Sequence, residues 1–147
     1  MVGWLLGLSL AAAACAGGVE TVRIDQAYIS SGNQSNDAVV RVSLIGRELS
    51  SIAEKEIYAH IVIVDCSNET IRYPASPRLD GVPLDRFAAI RDLLERRGDN
   101  QNYVIDGNVP HAFLQRLSNT CVKLEGGGYL GGTLHSNQLR IERAGTR

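Results

Sequence analysis

Ten residues, IYAHIVIVDC at 57–66, constrain this chain most, because they are largely apolar at both parities. In an extended strand successive side chains point to opposite sides, so such a run needs cover on both faces. The stretch therefore predicts a central strand. Around it, apolar residues mostly recur with period two. Residues 19–29 read as a first strand, and SSGNQSND at 30–37 as a loop by its turn chemistry. Residues 38–45 form a strand with Val40, Val42 and Leu44 on one face and Arg41 and Ser43 on the other. Gly46 ends that strand, and Ser51-x-x-Glu54 predicts one short helical turn. Residues 71–79 are extended but carry Pro74 and Pro77. Proline lacks the N–H that a ladder needs, so this is an edge or connecting segment.

One longer helix is predicted after Asp85, its expected cap. Phe87, Ile90, Leu93 and Leu94 form its apolar stripe, Arg96 and Arg97 suit its carboxyl end, and Gly98 stops it. Residues 103–105 resume a strand, and Asp106-Gly107 signals a turn. Residues 109–118 fit either a short helix opened at Pro110 or a bulged strand. The last two strands are expected at 121–124 and 134–141. Many short strands predict a mainly β fold: an antiparallel β-sandwich of immunoglobulin-like architecture with one inserted short α-helix. The spacing of Cys66 and Cys121 is close to what immunoglobulin domains use between sheets. The family's other marks are missing, since Trp4 is the one tryptophan and Asn119, not tyrosine, stands two before Cys121.

The amino terminus has a separate logic. No charged side chain precedes Glu20, and Trp4-Leu-Leu-Gly-Leu-Ser-Leu10 runs into alanines. A short apolar core followed by small residues is the pattern of a secretory signal, here without Lys or Arg before it. Ala12-Ala13-Ala14 before Cys15 resembles the lipobox of bacterial lipoproteins, with Ala12 where leucine usually stands. That resemblance implies Cys15 as the lipidated first residue of an outer-membrane lipoprotein, with the membrane as a partner through the anchor. Ala14-Cys15-Ala16 also reads as an A-x-A site, which gives a free periplasmic product. An uncleaved anchor and an ordinary buried segment are the two remaining readings. Residues 1–16 are thus assigned to the signal and 17–147 to a single β-rich domain.

Export changes the cysteine arithmetic. With Cys15 lipidated or removed, Cys66 and Cys121 remain as an even pair in an oxidising compartment, which predicts a disulfide. The alternative is two buried thiols. A net charge of -1, with arginines scattered among acids, disfavours both nucleic acid and an acidic membrane surface as partners.

The motifs that carry chemistry are weak. GGGYLG at 126–131 matches G-x-G-x-x-G, but no helical stripe follows and no acid lies some 20 residues on, as a dinucleotide site needs. It reads as a hairpin or bulge displaying Tyr129 and Leu130, which with His135 are candidate ligand contacts. No cofactor is implied. His60, His111 and His135 lack metal-ligand spacing, so no metal site is predicted. His60, on the central strand, is expected to be a hydrogen-bonded core residue. Asp80 with Asp85, and Asp65 with Glu69, fall in or near turns. No G-x-S-x-G surrounds a serine. The expectation is a small bacterial envelope protein, a lipid-anchored binding or assembly module with an envelope protein as partner. The alternatives are a periplasmic hydrolase, its site assembled from His111, His135 and acids, and a secreted enzyme inhibitor that presents the Tyr129 loop.

Overall fold

The computed structural model describes residues 18–31, 36–129 and 131–141. Along them run β1 (Val19–Val22), β2 (Gln26–Ser31), β3 (Asp37–Ile45), α1 (Gly46–Glu54), β4 (Ile57–Asp65), β5 (Asn68–Ala75), β6 (Arg78–Leu79) and β7 (Val82–Pro83). Then follow α2 (Phe87–Arg97), β8 (Asn102–Pro110), α3 (His111–Leu114), β9 (Thr120–Gly128), β10 (Thr133–Ser136) and β11 (Leu139–Ile141). The strands form a β-sandwich. Its first sheet has the order β1-β10-β9-β4-β5, with β11 also on β9, and its second the order β2-β3-β8-β6-β7. Pairing is antiparallel throughout except for β1, which runs parallel to β10.

The core lies between the sheets. Ile61, Ile63, Val122, Leu124 and Leu134 of the first sheet meet Val40, Val42, Leu44, Ile105 and Val109 of the second, all fully buried. β4 is central, as its sequence predicts, with β9 on one side and β5 on the other. Cover on its outer side is uneven. Val62 and Val64 are buried there beside Cys66 and Cys121, whereas Tyr58 and His60 are exposed. The cause is local: β5 pairs with β4 only from Ile61 onward, so the first half of β4 lacks a strand neighbour on that side. β5 is an edge strand, which is where Pro74 is tolerated.

Several expectations need correction. The segment 19–29 is two strands in different sheets, because the chain crosses between sheets at residues 23–25. The segment 134–141 breaks likewise into β10 and β11. Both breaks meet at Asn137, whose Oδ1 accepts the Ile24 N–H at 2.7 Å and whose Nδ2 donates to the Ile24 carbonyl at 3.0 Å. One side-chain amide thus takes the place of a strand partner where the ladders stop. Asp106-Gly107 makes no turn but lies inside β8. Gly107 is there for closeness: a Cβ would stand 3.0 Å from the Ala75 side chain of the facing sheet.

Helix is also more extensive than the one inserted helix and the short turn expected, since Ser51 to Glu54 close a longer helix rather than start one. Gly46 does not merely end β3; it begins α1, which buries Leu49, Ile52 and Ala53. A Cβ at Gly46 would lie 2.7 Å from the Asp99 backbone, so only glycine lets the helix start against that loop. α2 buries the stripe expected of it, and Gly98 stops it with φ +88°. Its N-cap is Arg86, with no side-chain bond, rather than Asp85. The ambiguous 109–118 segment resolves into the end of β8 and the short α3 after Pro110.

Candidate functional site

The outer face of the first sheet carries what the chain can offer to a ligand. Register places its side chains in lateral rows. One row reads Val19, Thr133, Gly127, Tyr58 across β1, β10, β9 and β4. The next reads Thr21, His135, Glu125, His60. Neighbouring strands are about 4.8 Å apart, so Glu125 sits between two imidazoles, each one strand away. Tyr58, His60, Glu125, Thr133 and His135, with Arg72 from β5, line an open groove of about 430 Å3. Gly127 forms part of its floor without a side chain, so nothing there fills the groove between Tyr58 and Thr133.

Charge in the groove is organised around Glu125. Arg72 donates to its Oε2, and Lys123 lies 2.8 Å from its Oε1. Lys123 also reaches Glu69 at 3.3 Å. Partial burial pushes the Glu125 carboxyl upward, but the hydrogen bonds from Lys123 and Arg72 outweigh it and hold the group below the ordinary glutamate range. The hydrogen bond to Glu125 raises the Lys123 ammonium above the ordinary lysine value against its own desolvation, and Glu69 adds to the rise. Glu125 is therefore an ionised, neutralised carboxylate, not a free base. Among the described residues no hydrogen bond holds either the His60 or the His135 imidazole, and both residues are exposed. His60 is thus a surface residue, contrary to the core role expected for it. No group of three His, Cys, Asp or Glu among the described residues is arranged to hold a metal ion.

The two ends of this face differ. At one, Cys66 and Cys121 are joined by a disulfide with a Cα–Cα distance of 5.1 Å. The bridge lies within one sheet, since Cys121 pairs with Val64 of β4, so the inter-sheet bridge of immunoglobulin domains is not reproduced. Beside it, the Asp65 carboxylate accepts the N–H groups of Ser67 at 2.9 Å and Ser118 at 2.8 Å, which hold its pKa below the ordinary aspartate value. At the other end GGGYLG is a hairpin between β9 and β10, closed by the Gly128 N–H on the Gly132 carbonyl at 2.7 Å. No helix opens there, so the dinucleotide reading is excluded. Tyr129 stands 90% exposed at its tip, and Leu130 lies outside the described residues.

Other expected contributors fall elsewhere. Cys15 lies outside the described residues. His111 opens α3 after β8, in the other sheet, and does not join His135. Asp80 pairs with Arg97 rather than with Asp85. Arg72, Lys123, Glu125 and Tyr58 were not singled out by sequence. Alternation places Lys123 with Glu125, and Tyr58 with His60, on common faces, but only the register brings these pairs together. A scan of protein-family models, a search of curated proteins and a search of solved structures each find no match to this chain.

Proposed function

We propose that this chain is a lipid-anchored binding module of a bacterial cell envelope, tethered through Cys15, which takes an envelope protein partner across the outer face of its first sheet. The anchor rests on the lipobox resemblance at Cys15, and one observation carries the binding face: the open row His135–Glu125–His60, flanked by Tyr58 and Thr133. Its imidazoles, phenol and hydroxyl present donors and acceptors, and the openness of the groove suits an extended partner surface better than a small molecule. The same row speaks against the hydrolytic alternative. Two cations hold its carboxylate, and among the described residues no hydrogen bond couples either imidazole to a serine or cysteine nucleophile. Cys66 and Cys121, as a disulfide, have no thiol to offer.

The test is site-specific photocrosslinking in intact cells. A photoreactive residue at His135 is expected to give one discrete adduct, reduced severalfold by His60→Ala with Tyr58→Ala. The same probe at Tyr28, on β2 of the opposite sheet, is expected to give none. Equal adducts at both positions would sink the assignment of the face.

A further inference from the structure

We infer that the hairpin end of the first sheet is a lipid-contacting surface, which seats the domain on the bilayer that holds its anchor. The inference rests on the reading of Cys15 as the acylated residue. Among the described residues, five large apolar or aromatic side chains are exposed: Val19, Tyr28, Tyr58, Val104 and Tyr129. Three of them share this one end. Val19, 67% exposed, and Tyr58, 50% exposed, occupy the same lateral row, and Tyr129 projects from the hairpin just beyond Gly127 and Gly128 of β9. Clustering of apolar side chains at one edge of a small domain marks a contact surface, whereas scattered ones do not.

The chain's own path selects the occupant. The Gly18 carbonyl accepts the Thr133 N–H at 3.3 Å, so β1 enters the sheet beside the hairpin tip. Only Ala16 and Gly17 separate Gly18 from Cys15. A residue spans at most about 3.6 Å, so the Cys15 Cα lies within about 11 Å of Gly18. An acylated Cys15 therefore brings the bilayer surface to this end and no other. A notch of about 290 Å3 between Gly18, Val19, Ile57 and the hairpin glycines adds depth to the surface. The charges here are compensated: Lys55 pairs with Glu20, and Glu56 faces Arg91 at 4.0 Å. Approach to the headgroups thus strands no lone ion among these four. Tyrosine is a side chain that membrane interfaces favour, with its ring in the apolar boundary and its hydroxyl in water. Two acyl chains already hold a protein on a membrane, so the contact contributes orientation rather than affinity. It stands the first sheet upright, with the groove facing sideways and the disulfide end farthest from the lipid.

The mature chain supplies a clean reporter. Trp4 is the one tryptophan and leaves with the signal, so Tyr129→Trp creates a single fluorophore. Val19→Trp is the second reporter, and Tyr28→Trp, at 44% exposure on the opposite sheet, is the control. Each mature protein is reconstituted into phosphatidylcholine–phosphatidylglycerol vesicles with or without brominated chains, and its amino-terminal mass is measured. In acylated protein the Tyr129→Trp and Val19→Trp reporters are expected to lose emission to brominated lipid, because aromatic rings at this end sit at the interface, and the control almost none. Equal quenching in all three, or none at the first two, overturns the inference while leaving the anchor intact. Emission at the first two that shifts with protein concentration but not with bromination names a second copy as the occupant, and also overturns it. A mass without the acyl group removes the anchor reading, and this inference with it.

Discussion

Reduction of the Cys66–Cys121 bridge is expected to destabilise the domain without changing its native fold. The reason is where the bridge lies. β4 and β9 are already paired from Ile57–Gly128 to Asp65–Thr120, and the disulfide joins the end of that ladder. The folded state keeps its register when the bond is cut. The unfolded chain does not: a loop closed over a separation of 55 residues is released. The chain-entropy estimate for that release is about 4 kcal/mol, a factor of about 1,000 in the folding equilibrium. With a urea slope of about 2 kcal/mol per molar, the midpoint is expected to fall by about 2 M, and the slope itself to rise as the unfolded chain expands. The assay is urea unfolding of oxidised and reduced protein followed by circular dichroism, with free-thiol titration to confirm each state. A midpoint shift below about 0.5 M, with an unchanged slope, would refute the loop argument.

Three further outcomes follow from particular contacts. Gly126→Ala places a Cβ 2.4 Å from the Tyr58 carbonyl oxygen and 3.0 Å from the Ala59 Cα, both backbone atoms. It is expected to lower stability by about 1–3 kcal/mol, as overpacking does. Gly127→Ala, next door, meets nothing closer than 3.7 Å and is expected to be neutral or slightly stabilising in the same thermal melts. Glu125→Gln leaves Lys123 with Glu69 alone and is expected to cost about 1 kcal/mol in urea unfolding, allowing for solvent screening at the half-exposed Arg72. Glu20, Asp65 and Glu125 have folded pKa values below those of ordinary carboxylates, so their stabilisation is full above the ordinary carboxylate range and is lost as pH falls through the folded values. Lys123 is raised above 10.5, so its share is full below that value and is lost as pH rises through the folded one. Stability measured against pH is therefore expected to show a plateau with losses on both sides, and Glu125→Gln to flatten both limbs.

Much of the fold was legible in local pattern. The two-sided apolar run at 57–66 marked the central strand, the prolines marked the edge, and the cysteine pair marked its own bond. The glycine motif read correctly as a hairpin because no helical stripe followed it. What local pattern missed depends on contacts made elsewhere. Nothing near Gly46 shows that the Asp99 backbone will pack against it, so a helix start looks like a strand stop. Nothing near Gly107 announces the facing Ala75, so a packing glycine looks like a turn. The breaks at residues 23–25 and 137–138 are stabilised by each other through Asn137, across more than 100 positions of sequence. The site was hidden for the same reason. His60, Glu125 and His135 lie on three strands, and their row exists only once the register of β4, β9 and β10 is set. Burial of His60 was expected because its strand is apolar, whereas exposure is decided by β5 stopping short of it.

The most direct measurement is the mass of the mature protein's amino terminus, taken from membrane fractions. Export and anchoring predict a chain that begins at position 15 with a diacylglyceryl group on Cys15, and with no peptide containing Trp4. A chain that retains Met1 and Trp4 in a soluble cytosolic fraction would contradict the account. The anchor, the lipid-facing hairpin and the oxidising setting of the Cys66–Cys121 bridge would then lose their common basis.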